Sequence, residues 1–254
     1  MSKLTFLGSG SAFTPIWEGN YQSNMILESD TGKKLLIDCG TQVHISLHDQ
    51  NLSIFDIDAI YISHQHADHC GGIEEAAFKT YFNPTAKKPK MIAYSRMLDF
   101  LWNETLKGGL ASLQGHVATL SDYFDLVPVK RNDGFEWEDI KFQLVRTIHI
   151  MDGFDFVPSY GLIFDLNNKK AFITTDSQHC PNQIMDFYAM SDIIFQDCET
   201  SPFKSGVHAH YNDLKTLPDD VKKKMYLYHY QPGQLPDAIS DGFAGFVTKG
   251  QSFT

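Results

Sequence analysis

The chain is 254 residues long, 43% hydrophobic and formally −10 at neutral pH, enough to bury a substantial core as one large domain or two small ones. That acidic balance disfavours extended DNA or RNA, whose binders are as a rule basic. A small phosphate ester stays open, because bound metal ions add positive charge that the formal count omits.

Four cysteines, Cys39, Cys70, Cys180 and Cys198, are scattered without a CxxC pair, so reduced thiols are expected rather than a disulfide scaffold. The start, Met1-Ser2-Lys3-Leu4-Thr5-Phe6, lacks the apolar core of a signal peptide. No apolar run approaches membrane-spanning length. A soluble cytoplasmic protein, in the host cytoplasm if phage-encoded, is expected.

In chain order, Leu4–Leu7 reads as a strand and Gly8-Ser9-Gly10-Ser11 as a turn. The full GxGxxG is absent, so the turn is expected to pass close to an active site rather than to cradle a dinucleotide. Residues 24–28 and 34–38 read as a hairpin about the turn 30–33. Asp38 then serves either a metal site or the turn itself. Residues 41–51 read as a helix through Val43 and Leu47, with His44 and His48 on a solvated face because the Glu of HExxH is missing.

A strand over 56–62 delivers His64-Gln65-His66-Ala67-Asp68-His69, and Gly71-Gly72 opens a helix through Lys79. From Tyr81 to about Arg131 the pattern is less regular. It holds a small basic loop at Lys87, Lys88 and Lys90, a strand at 91–94, and a helix over 97–106 that Gly108-Gly109 is expected to break. Strands follow at 135–137 and from 140 to an end at His149, then at 170–176, 192–197 and 224–229, with helices at 184–190 and around Leu214. The hairpins argue against an all-parallel sheet.

His64, His149, Asp176 and His229 each stand just after an apolar strand. If those strand ends share one edge of packed sheets, the polar tips converge. That gives seven candidate ligands: His64, His66, Asp68, His69, His149, Asp176 and His229. One tetrahedral ion needs about four. Seven suits two ions sharing a carboxylate.

The motif His64-Gln65-His66-Ala67-Asp68-His69 resembles the HxHxDH signature of the metallo-β-lactamase superfamily. Phe6-Leu7-Gly8-Ser9-Gly10, Leu36-Ile37-Asp38-Cys39-Gly40 and Pro158-Ser159-Tyr160-Gly161 resemble its ribonuclease Z-like branch. The resemblance covers nearly the whole chain, 1–254, as a single domain. It implies an α/β (α+β) fold, a four-layer αββα sandwich with the metals at one edge. It also implies that His64, His66 and His149 hold one ion, that Asp68, His69 and His229 hold the other, that Asp176 bridges them, and that Asp38 fixes the orientation of the histidines.

Two divalent metal ions, Zn²⁺ or Mn²⁺, would activate a shared water. The branch's general acid maps to the stretch Val207-His208-Ala209-His210. His208 fits the spacing better and His210 is the second candidate, although the branch's usual HST-like triplet is not matched. No basic arm of the tRNA-processing type lies between Ile163 and Glu199.

The chain looks most like the anti-Pycsar cyclic nucleotide phosphodiesterases. These hydrolyse 3′,5′-cyclic mononucleotides (cAMP, cGMP, cCMP, cUMP) to 5′-monophosphates and act as homodimers. On that likeness residues 81–126 are either a dimer and lid region or an ordinary helical cover, and Tyr21 and Tyr160 either stack on a base or belong to the core. The competing readings are a tRNA 3′-processing endonuclease and a non-catalytic metal-binding protein.

Overall fold

The computed structural model describes residues 1–131 and 133–254. Two seven-stranded sheets carry the fold. The first runs in the order Ser252–Phe253, Lys3–Phe6, Met25–Glu28, Lys34–Ile37, Ala59–Tyr61, Lys90–Tyr94 and Asp125–Val129. The second runs Gly245–Phe246, Met225–Tyr228, Ile193–Asp197, Lys169–Ile173, Phe156–Leu166, Ile140–Met151 and Gly134–Trp137. Each sheet is antiparallel on one side and becomes parallel on the other, after Lys34–Ile37 in the first and after Lys169–Ile173 in the second.

The period-2 alternation of strands decides the layering. Met25, Leu27, Leu35, Ile37 and Tyr61 of the first sheet meet Phe142, Leu162, Phe164, Ile173 and Phe195 of the second in one central core. The intervening residues face outward. Ile26, Leu36, Ile60 and Met91 pack under Val43–Asp49, Ile73–Tyr81 and the helices that follow. Ile163, Phe172, Ile194 and Leu227 pack under Pro181–Met190 and Tyr211–Leu214. The order helix, sheet, sheet, helix is the expected four-layer sandwich. Ile73, Ala76, Ala77 and Thr80 are buried at helical spacing along one face.

Three sequence readings need correction. The helix after Lys90–Tyr94 is not broken at Gly108-Gly109. It runs from Ser95–Phe100 through a π-helical segment, Leu101–Leu106, into Lys107–Leu110. Gly109 is there for clearance: a Cβ on it would lie 2.2 Å from Glu74 Oε2. The strand from Ile140 does not end at His149. It runs to Met151, with a register shift between Ile148 and Ile150. Asp125–Val129, inside the stretch that read as irregular, is an edge strand paired in parallel with Lys90–Tyr94. Its Pro128 masks the strand signal, since proline is tolerated only at such edges. No helix among the described residues is long and apolar enough to cross a membrane.

Candidate active site

All seven candidate ligands come together at one edge of the two sheets. The central strand Ala59–Tyr61, buried at every position, ends three residues before His64. The motif then folds into a one-turn helix, Ala67–Cys70. The 38–41 loop clasps that turn: Cys39 N donates to His69 O at 2.7 Å, Thr41 N to Ala67 O at 3.1 Å, and Gly72 N returns to Cys39 O at 2.8 Å. Approach this close requires glycine. A Cβ on Gly40 would sit 1.9 Å from Asp68 O, and one on Gly72 would sit 2.4 Å from Gly40 O.

The remaining candidates arrive from the second sheet. His149 occupies the register shift of its strand, the kind of irregularity that re-aims a side chain. Asp176 follows Lys169–Ile173, and His229 directly follows Met225–Tyr228. Asp38, Thr175 and His229 have positive φ, at 63°, 53° and 65°, a conformation costly for residues other than glycine. The Gly8–Ser11 turn does pass the site, where His229 N donates to Ser9 O at 2.7 Å.

Three overlapping donor groups share Asp176. His64, His66 and His149 form the first with it, Asp68, His69 and His229 the second, and Asp197, His208 and His229 a third. In the first, His66 Nδ1 lies 3.1 Å from His64 Nε2 and 3.0 Å from His149 Nε2. Asp176 Oδ2 is 3.7 Å from both Nε2 atoms. In the second, His69 Nε2 is 3.1 Å from Asp68 Oδ2 and 3.2 Å from Asp176 Oδ1. His229 Nε2 is 3.2 Å from Asp68 Oδ2 and 3.6 Å from Asp176 Oδ2. A tetrahedral ion with metal–nitrogen bonds of about 2.0–2.1 Å holds its donors about 3.3 Å apart, and these distances bracket that value.

The far sides of three of the rings are held. Asp38 Oδ2 accepts from His69 Nδ1 at 2.7 Å and from Ser63 Oγ at 2.7 Å, while its Oδ1 accepts from Ser63 N at 2.8 Å. His149 Nδ1 donates to Val207 O at 2.9 Å. His64 Nδ1 lies 3.0 Å from Ser63 Oγ and 3.4 Å from Ser159 Oγ. Each contact fixes a tautomer and leaves Nε2 facing the cluster, as metal-binding imidazoles require.

The electrostatics agree. Burial lowers the pKa of His64, His66 and His149, keeping them neutral as ligands must be. Burial also disfavours charge on His69 and His229, but Asp176 and its neighbouring carboxylates overcome it and hold both well above the ordinary value. The carboxylates thus demand positive charge in their midst, which a divalent cation would supply in place of protons. His69 Nε2 faces Asp176 Oδ1 at 3.2 Å and His229 Nδ1 faces Asp197 Oδ1 at 3.3 Å, both pairs buried and neither with aligned hydrogen-bond geometry. Buried imidazole nitrogens and carboxylate oxygens crowded in this way are the donor types that hold a divalent ion. The donor set fits divalent metal.

The two general-acid candidates are separated by the structure. His208 Nδ1 lies 2.8 Å from Asp197 Oδ2 and 3.9 Å from Asp176 Oδ2, at the border of the cluster. His210 instead spans a loop, with Nε2 donating to Ser201 O at 3.0 Å and Nδ1 accepting from Asn212 N at 3.2 Å. The sequence reading missed Asp197, which is fully buried and also accepts from Ser177 N at 2.8 Å. The signal was present, since Asp197 ends a buried strand much as Asp176 follows one. Tyr21 is buried beneath Lys249. Tyr160 is half-buried with its ring 4.7 Å from that of Tyr94.

The chain matches the family of anti-Pycsar protein Apyc1 over residues 2–253. It belongs to that family. A relative from Paenibacillus harenae, an anti-Pycsar protein Apyc1, is 35% identical over 232 residues, 89% of each chain. One from Bacillus phage vB_BveM-Goe7 is 32% identical over 240 residues, 90% of this chain and 89% of the relative. Among solved structures, the metallo-β-lactamase fold protein YhfI from Bacillus subtilis superposes with a TM-score of 0.75 at 16% identity, covering 99% of this chain and 98% of that one. Human tRNase Z, short form, gives 0.69 at 16% identity, covering 99% and 98%. At those identities the likeness establishes the metallo-β-lactamase fold and no more.

Proposed function

We propose that this Apyc1-family chain is a metal-dependent phosphodiesterase that opens 3′,5′-cyclic mononucleotides to 5′-monophosphates and so counteracts cyclic-nucleotide antiviral signalling. It would act as a single-domain homodimer in the cytoplasm. The observation that carries the reading is the pair of donor groups built around one shared carboxylate, with a carboxylate-held histidine at their border. The names of its relatives support the same pathway.

His64, His66 and His149 would hold one ion, Asp68, His69 and His229 the second, and Asp176 both. Zinc suits the histidine-rich set, and manganese accepts the same ligands. When bound, such ions lower the pKa of a water molecule and neutralise charge on phosphate oxygens.

The chain's own residues supply the rest. Asp38, Ser63 and Val207 O keep the ligand rings aimed. Asp197 holds His208 by Nδ1 and leaves Nε2 to give a proton to the 3′-oxygen as its bond to phosphorus breaks. Burial works against the imidazolium of His208, but Asp197 raises its pKa and so favours the protonated form. His210 has both nitrogens engaged in the 199–212 loop and serves as its post.

The test offers purified protein, with Zn²⁺ or Mn²⁺, the four cyclic mononucleotides in one reaction and precursor tRNA in another. Conversion of cyclic nucleotide to 5′-monophosphate is expected. Cleavage of tRNA alone would make the chain a tRNA endonuclease, and turnover of neither would make it a metal-binding protein. The acidic surface stands against tRNA.

A further inference from the structure

The chain has three arginines, Arg96, Arg131 and Arg146, and the fold gathers them. Tyr94 and Val129 are opposite each other in the parallel pair Lys90–Tyr94 and Asp125–Val129. Arg96 and Arg131 therefore lie two residues beyond one matched position, at the carboxyl ends of adjacent strands. Ligands of open α/β sheets collect at such ends. Arg146 comes from the other sheet, where it stands opposite Tyr160 in register and lays its guanidinium 4.5 Å over the Phe156 ring. The rings of Tyr160 and Tyr94, 4.7 Å apart, join the two sides. Burial and Tyr94 push the Tyr160 phenol up to about 12, and the positive charge of all three arginines opposes that rise.

No arginine has a counter-charge among the described residues. Every ion pair made by a lysine or arginine uses lysine, although the chain carries 31 acidic residues. Arg96 shares a surface cavity with Asp99 and Glu104 without pairing to either, so the three guanidiniums keep donors open to an outside anion. Guanidinium geometry suits phosphate oxygens. The place is close to the metal cluster: Tyr160 N donates to Ser63 O at 3.1 Å, and Ser159 Oγ is 3.4 Å from His64 Nδ1.

We propose that Arg96, Arg131 and Arg146 form a second anion site, beside the metal-ligand cluster, that binds a phosphate group of a nucleotide. That the phosphate is carried by a nucleotide rests on the phosphodiesterase reading. Two sources present the same chemistry: one phosphate of a linear dinucleotide whose other phosphate reaches the metal centre, or a separate mononucleotide.

With three arginines, the arginine Nε–H region of a ¹⁵N correlation spectrum has three signals, each assignable by one Arg→Lys substitution. The Zn²⁺-supplemented full chain is titrated with inorganic phosphate, 5′-AMP and the linear dinucleotide pApA, at ionic strength held constant with chloride. All three signals are expected to move and saturate at one midpoint. Arg146→Lys is expected to weaken that midpoint about tenfold, the loss of a charge-assisted hydrogen bond. A dinucleotide midpoint tenfold or more below that of 5′-AMP identifies the first source, and equal midpoints the second.

Signals that stay still, move without saturating, or saturate at unrelated midpoints overturn the site. Cyclic-nucleotide hydrolysis is assayed separately. Turnover with silent arginines sinks this site alone, and titrating arginines without turnover sink the phosphodiesterase reading alone.

Discussion

Replacing Asp38 by asparagine keeps the size of a fully buried side chain and removes one acceptor. The carboxylate accepts three hydrogen bonds: from Ser63 N at 2.8 Å, Ser63 Oγ at 2.7 Å and His69 Nδ1 at 2.7 Å. An amide must point its NH₂ either at Ser63 N–H or at His69 Nδ1–H, donor against donor. At least one bond to a charged acceptor is lost, about 1.5–3 kcal/mol. For a chain of this size that lowers Tm by about 3–12 °C. The ring of His69 is also freed, and loss of such an orienting partner costs about 10–100-fold in metal affinity. The loss should fall on the ion held with Asp68 and His229 and spare the one held by His64, His66 and His149. Chelator competition at graded Zn²⁺ reads each affinity, and calorimetry reads Tm. Unchanged affinity for both ions, with or without a lower Tm, would refute the idea that Asp38 aims His69 at metal.

Three further outcomes are expected. His208→Gln should lower kcat by about 10²–10⁴-fold, the usual worth of a positioned acid, with metal content intact. His210→Gln should leave kcat within a few-fold, and a kinetic comparison that reversed the order would move the acid to His210. Stripping metal should lower Tm: each ion present at a hundred times its Kd contributes about 2.7 kcal/mol, or roughly 5–11 °C, and re-addition should restore it. Asp241 is held below its ordinary pKa by the hydrogen bond from Tyr211 at 2.7 Å and by Lys215 at 2.9 Å. Its contribution is therefore present above the ordinary carboxylate pKa and disappears as pH falls through the depressed one. Asp241→Asn should flatten the acid limb of a Tm-against-pH curve, and parallel curves for variant and parent would remove Asp241 as a source of that limb.

What the sequence made legible was what is local. His64, His66, Asp68 and His69 lie within six residues, so their spacing alone announces a metal loop. His149, Asp176 and His229 were readable only as polar residues placed after apolar runs, and their meeting depends on two sheets packing face to face with those strand ends at one edge. The layering came with the family resemblance and not from patterning, because Met25–Glu28 and Lys34–Ile37 are buried at nearly every position and an unbroken apolar run does not show which face each residue takes. The Asp197–His208 contact was not readable, because the two lie 11 positions apart across a loop. Nor was the course of the helix through Gly108-Gly109. Glycine in a helix is ordinarily a breaker, and only the nearness of Glu74 explains it. The arginines were invisible as a group, since each lies on a different strand end or strand and only the Tyr94–Tyr160 contact unites them.

The positive φ values of Asp38, Thr175 and His229 set a limit on how this protein can be made sturdier. Each such residue stores about 1–3 kcal/mol of backbone strain, and all three sit where a ligand or its support must be aimed. Glycine at Thr175 would relax the turn and forfeit the Thr175 Oγ1–Ser159 Oγ contact, at 2.7 Å, beneath His64. Selection for heat resistance alone, with activity unmonitored, would accept such replacements. The fold would survive and its catalytic edge would wear away first.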